Sequence, residues 1–168
     1  MSSVESQIEA QIPGLRRYAR ALTGNVARAD DLVQDCLERA LSRLALWRRG
    51  SNLKAWLFTI MRNVWLNDLA RHRARPDMDA SDDGLDQAVV APGQMERLVM
   101  RDLASALAQL APEQREAVLL VGLEGMSYAE VAEVTGVPVG TVMSRLKRGR
   151  DRLARLMHGA EPAIRRVK

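Results

Sequence analysis

Ser127, Glu130, Gly136 and Pro138 constrain the fold of this 168-residue chain more tightly than any other feature. Ser127 and Glu130 form a Ser-x-x-Glu capping box ahead of Val131 and Ala132, so a short helix is predicted to begin at Tyr128. Gly136 stops that helix, and Val137-Pro138 starts another in which Pro138 supplies the fixed φ of a first turn. Ala132 is small enough for a close helix crossing, and Val142 faces back toward the core. Together these positions have the spacing of a helix-turn-helix. On the second helix Val142, Leu146, Leu153 and Leu156 point inward. That leaves Thr141, Ser144, Arg145, Lys147, Arg148 and Arg152 mostly outward, an arrangement suited to phosphates and guanine edges in a major groove.

The rest of the chain also reads as helix. Three Trp, two Tyr and one Phe leave the core to Leu, Val, Ala and Met, which favours helices over sheets. Ile8, Ile12, Leu15, Ala19 and Leu22 form one stripe that ends at Thr23-Gly24. Behind Asn25, an N-cap, a second helix carries Leu32, Val33, Cys36, Leu37, Ala40, Leu41 and Leu44 on its apolar face. Asp31, Gln34, Asp35 and Glu38 lie on or near its opposite side. Trp47 to Asn52 breaks the pattern, and a third helix runs from about Leu53 to Arg73 through Trp56, Leu57, Ile60, Val64 and Leu69. Trp56 and Trp65 could serve as stacking platforms for bases, but Trp at helical spacing is more often core, and core is the favoured reading. Arg71, His72, Arg73 and Arg75 close this helix, as its dipole favours and as a phosphate-contacting cluster would require. Further on, Met95, Leu98, Leu103, Leu107 and Leu110 mark a helix ended by Ala111-Pro112. Pro112 opens the next, which runs from Glu113 to about Gly122 and is followed by a turn at Glu124-Gly125-Met126.

Charge divides the chain into three. Residues 1–75 hold 13 Arg and Lys against 7 Asp and Glu, residues 76–94 hold five Asp and no base, and residues 95–168 hold 12 against 9. The middle stretch also contains Pro and Gly without periodicity, so it is predicted to be a flexible linker between two small helical domains. Two basic bodies suggest a polyanionic partner, because clustered Arg and Lys release counterions from phosphates. Asp77-x-Asp79-x-Ser81 resembles the start of a calcium loop, but Asp82 replaces the required Gly and Ala88 the bidentate Glu, so a solvated linker is the better reading.

Several classes are disfavoured. One cysteine, Cys36, cannot form an intramolecular disulfide, and its place in the apolar stripe marks it as a core filler. No apolar stretch approaches the about 20 residues that span a bilayer, and the N-terminus lacks a signal pattern, so a cytoplasmic protein with no membrane insertion is expected. His72 and His158 are the only histidines, with no metal-ligand cluster and no glycine-rich phosphate loop. An enzyme, a metal site, a cofactor and a small-molecule substrate are therefore not expected.

Three segments of the second body resemble region 4 of extracytoplasmic-function sigma factors: Leu110-Ala-Pro-Glu-Gln-Arg-Glu116, Gly125-Met-Ser-Tyr-Ala-Glu-Val-Ala132 and Pro138-Val-Gly-Thr-Val-Met-Ser-Arg-Leu146. Ala29-Asp-Asp-Leu-Val-Gln-Asp35 and Trp56-Leu-Phe-Thr-Ile-Met-Arg-Asn63 are similar to region 2 of the same family. The resemblance implies an alternative sigma factor that joins the clamp and flap of core RNA polymerase, directs initiation at promoter DNA of stress-response genes, and is held by an anti-sigma factor. It implies that Arg48, Gly50, Ser51, Asn52, Asn63, Arg71 and Arg73 serve the minus-ten element. Thr141, Met143, Ser144, Arg145, Lys147, Arg148 and Arg152 would serve the minus-thirty-five element, and Asp31, Gln34, Asp35 and Glu38 the polymerase. Met143 stands where many relatives carry Lys or Arg, so base preference is expected to differ there. A stand-alone helix-turn-helix repressor or activator, and a sigma-like decoy for an anti-sigma protein, are the competing readings.

Overall fold

Local chemistry sets the helix ends. Ser3, Asn25 and Asn52 each accept a backbone N–H three residues on, opening α1 (Val4–Thr23), α2 (Val26–Ser42) and α3 (Leu53–Ala74). Gly24, at φ 66°, closes α1 in the left-handed conformation that the Thr23-Gly24 pair predicts. A 3-10 turn, Leu44–Leu46, follows α2. The computed structural model describes residues 3–75 and 93–159, and among them every regular element is helical. The stretch Pro76–Pro92, with most of the expected linker and its calcium-like aspartates, lies outside the described residues. Gly93 and Gln94, counted with that linker on composition, instead cap and begin α4 (Gln94–Ala108), with the Gly93 N–H donating to Glu96 Oε2 at 3.2 Å.

In the second half Pro112 is the first residue of α5 (Pro112–Val118), as its missing N–H favours. The predicted helix to Gly122 is not regular. Leu119–Leu123 form a π turn in which the Glu124 N–H donates to Leu119 O at 3.1 Å. Then come α6 (Tyr128–Thr135), opened by the Ser127–Glu130 capping box, and α7 (Val139–Met157). Gly136, at φ 69°, makes the turn between them. Pro138 is the cap of α7, with extended ψ of 151°, one residue earlier than a first-turn proline.

Leu15, Leu32, Cys36, Leu57, Phe58 and Met61 fill the centre of the α1–α2–α3 bundle. Each large apolar side chain buried this way contributes about 2 kcal/mol. Tyr18, which falls off the predicted stripe, packs its ring 5.3 Å from that of Phe58 at 58°. Trp47, read as part of a turn, is buried and lies 6.4 Å from Trp56. Conversely Leu41, Met95 and Leu98 are exposed although periodicity puts them on apolar faces. In the second half α5 crosses α7 at Gly149, where an added Cβ would meet Val118 Cγ2 at 2.7 Å and Gln114 O at 3.1 Å. The apolar side chains of the two halves are continuous. Leu119, Leu120, Met126, Val131, Val134 and Val142 join the first-half residues in a single buried cluster, with α6 against α3 and the π turn against α1.

Candidate nucleic-acid interface

The alternation expected along α7 is present. Val142 and Leu146 are buried, while Met143, Ser144, Lys147, Arg148 and Arg152 are exposed. Thr141 and Arg145 are half-buried rather than outward. The Arg145 guanidinium is close enough to Glu116 to favour its carboxylate. Lys147 Nζ donates to Asp151 Oδ2 at 3.1 Å, an exposed pair one helical turn apart that exchanges readily with water and phosphate. Arg152 Nε donates to Gln109 O at 3.3 Å and so ties α7 to the end of α4. Met143, Ser144, Lys147 and Arg148 therefore form an exposed ridge along α7.

The second group lies at the start of α3. Arg48, Gly50 and Ser51 are exposed, Gly50 adopts φ 88°, and Ser51 Oγ donates to Arg48 O at 2.7 Å, which shapes a tight polar loop. Asn52 has both ends of its amide engaged. Its Oδ1 accepts the Ala55 N–H at 3.0 Å and its Nδ2 donates to Glu130 Oε1 at 2.6 Å. Asn63 and Arg73 are exposed on α3, and Arg71 lies 3.8 Å from Asp68. Trp56 and Trp65 are half-buried and pack against the core. On α2, Asp31, Gln34, Asp35 and Glu38 form an exposed face opposite Leu32, Val33 and Cys36, with Gln34 Nε2 donating to Glu38 Oε1 at 3.3 Å.

Sequence patterning missed the charged junction between the halves. Arg17 donates from Nε and Nη2 to the two oxygens of Glu124 at 3.0 and 2.9 Å, a bidentate pair. Lys54 Nζ donates to the Glu124 carbonyl at 2.6 Å, and Arg62 pairs with Glu116. The Glu124 side chain is 1% exposed. Burial pushes the Glu116 carboxyl up, against the opposing pull of Arg62. Glu130 is drawn the other way, below the usual carboxylate range, by the Ser127 N–H and the Asn52 amide. A signal for this junction existed at Glu124, which follows the apolar run of residues 117–123 and precedes Met126, where a carboxylate needs a partner. Among the described residues no group of three or more His, Cys, Asp and Glu could hold a metal ion, and no helix is long and apolar enough to cross a membrane.

A basic helix-turn-helix carried on an all-helical scaffold defines the class as DNA-binding. Two family models match, the Sigma2 domain of PhyR over residues 8–62 and Sigma-70 region 4 over residues 100–153. The sigma factor EcfG of Rhodopseudomonas palustris is 44% identical over 161 residues, covering 95% of this chain and 88% of that protein. SigC of Mycobacterium tuberculosis is 34% identical, covering 95% and 84%. Among solved structures, the sigma factor RpoE in complex with the anti-sigma factor NepR from Bartonella quintana matches at TM-score 0.78 and 36% identity, over 94% of this chain and 98% of that one. CnrH in complex with the cytosolic domain of CnrY matches at TM-score 0.71 and 27% identity, over 94% and 88%. The chain belongs to the extracytoplasmic-function RNA polymerase sigma factors. It is an alternative sigma factor that directs transcription initiation.

Proposed function

We propose a division of labour in which residues 1–75 bind core polymerase and read the minus-ten element, 76–94 connect, and 95–168 read the minus-thirty-five element. The observation that carries this reading is the exposed ridge Met143, Ser144, Lys147 and Arg148 beside buried Val142 and Leu146. Such a ridge enters a major groove side-first, its cations set affinity, and Ser144 and Met143 meet base edges or the thymine methyl. The exposed polar loop Arg48–Asn52 would receive an unstacked base, with Asn63, Arg71 and Arg73 on α3 for phosphates. The acidic face Asp31, Gln34, Asp35 and Glu38 serves the polymerase clamp. Catalysis belongs to the polymerase, and this chain supplies none.

The regulatory partner is an anti-sigma protein. Support comes from RpoE, whose structure was solved with the anti-sigma factor NepR, and from the match of residues 8–62 to the Sigma2 domain of PhyR. PhyR of Bartonella quintana is itself described as an anti-anti-sigma factor complexed with NepR. The RpoE–NepR complex supports a NepR-type partner, and we place the chain in the cytoplasm in control of stress-response genes as part of the same proposal. Purified chain added to core polymerase should give promoter-dependent initiation, abolished by an equimolar NepR-type protein. Duplex binding without initiation would instead favour a stand-alone repressor.

A further inference from the structure

The exposed ridge of α7 changes character along its length. Val139 and Met143 stand one helical turn apart at its leading end, 41% and 51% exposed. Gly140 beside them is exposed, with nothing within 4 Å of an added Cβ, so its backbone can come close to the floor of a groove. The cations of the ridge come later. Lys147 and Arg148 follow Val139 by eight and nine residues, about 12–14 Å along the axis. In a helix-turn-helix the first residues of the second helix meet base edges, and basic residues further along it reach phosphates.

That leading end lacks the groups that read purines. Guanine is recognised by a guanidinium or ammonium donating to O6 and N7, and adenine by an amide. Residues 139–146 contain one cation and no amide. The cation, Arg145, is half-buried and lies near enough to Glu116 to favour its carboxylate, so it is not part of the ridge. Ser144 Oγ directs its one proton to Thr141 O at 3.3 Å, and Thr141 is itself half-buried. What stays exposed is apolar, and the apolar group that a major groove offers is the C5 methyl of thymine. We propose that α7 selects the minus-thirty-five element by thymine methyl groups packed against Val139 and Met143, rather than by hydrogen bonds to guanine edges. This rests on the placement of α7 in that element and names what it recognises there. Lys147 and Arg148 then set affinity and its salt dependence without choosing sequence.

Modified bases test the choice. The element is isolated from a randomised duplex pool with the full chain bound to core polymerase. It is then remade with deoxyuridine for thymidine, which removes only the methyl, or with 7-deazaguanine for guanine, which removes only the N7 acceptor. Affinity should fall about fourfold for each contacted methyl lost, as burial of one carbon predicts, and stay within about twofold with 7-deazaguanine. Met143→Ser/Val139→Ser should bind the thymidine and deoxyuridine forms alike, whereas Met143→Leu should keep the difference. An element with no A·T pair, indifference to deoxyuridine, a several-fold loss with 7-deazaguanine, or a methyl dependence that survives Met143→Ser/Val139→Ser overturns the proposal. Failure of the placement itself reads differently: Arg148→Ala and the Val139 and Met143 variants would all leave selection and affinity at the element unchanged.

Discussion

Gly149 of α7 lies so close to Val118 of α5 that a methyl group in its place would come within 2.7 Å of Val118 Cγ2 and 3.1 Å of Gln114 O. A glycine inside an exposed helix costs about 1 kcal/mol relative to Ala, so Gly149 is present for the approach of the two helices. Gly149→Ala should destabilise the protein by about 1–3 kcal/mol through overpacking. Gly140, on the same helix, has nothing within 4 Å of an added Cβ, and Gly140→Ala should be neutral or stabilising. Thermal unfolding of both variants checks the contrast.

Arg62 partners a carboxyl that burial holds above its ordinary value. Arg62→Met removes the group that offsets this burial, so the folded-state value rises further. A raised carboxyl contributes stability that is fully present below its unfolded value of about 4.3 and is lost as pH rises through the folded value. The variant should therefore lose about 3 kcal/mol near neutral pH and distinctly less at pH about 4.5. Urea denaturation at the two values measures this; an equal loss at both would dissociate Glu116 from the effect.

Cys36 is fully buried, its Sγ 3.5 Å from Leu57 O, and burial raises its thiol to about 12. Only the thiolate is nucleophilic, so native protein at pH about 8 should react with a disulfide reagent far more slowly than urea-unfolded protein. Rapid modification of the folded form would contradict the placement of Cys36 among the α1–α2–α3 side chains.

Arg148 is exposed on α7 and Arg145 is half-buried toward Glu116. Arg148→Ala should weaken minus-thirty-five binding and lower the slope of log affinity against log salt by about one, with little change in thermal stability. Arg145→Ala should also lower the melting temperature, because it removes a cation that favours the Glu116 carboxylate. Binding across a salt series, paired with melting curves, separates the two roles.

The sequence disclosed the turn chemistry and the main stripes because those signals are local. Asn25, Gly24, Ser127–Glu130, Gly136 and Pro112 lie where their caps and turns predict, within a residue or two of the helix ends. Leu41, Met95 and Leu98 were misplaced because periodicity defines a face without saying whether anything covers it. Of the expected DNA-facing residues, Arg145, Asn52 and Arg152 have internal partners that only tertiary packing creates. The junction of Arg17 with Glu124 spans 107 residues of sequence, and no local pattern encodes such a pairing.

The π turn at Leu119–Leu123 has a consequence for phase. Along a regular helix the eight steps from Glu116 to Glu124 would sweep about 800°, leaving the two carboxylates some 80° out of line. A turn closed five residues apart winds less per residue, at roughly 80°, and absorbs most of that offset. The two side chains thus come round to one side of the chain, toward Arg62 and Arg17. Alignment of this kind depends on how many residues intervene rather than on which ones. Deleting Gly122 would leave seven steps, which a regular helix sweeps in about 700°, so the deletion should remove the π turn and keep the two carboxylates on one side.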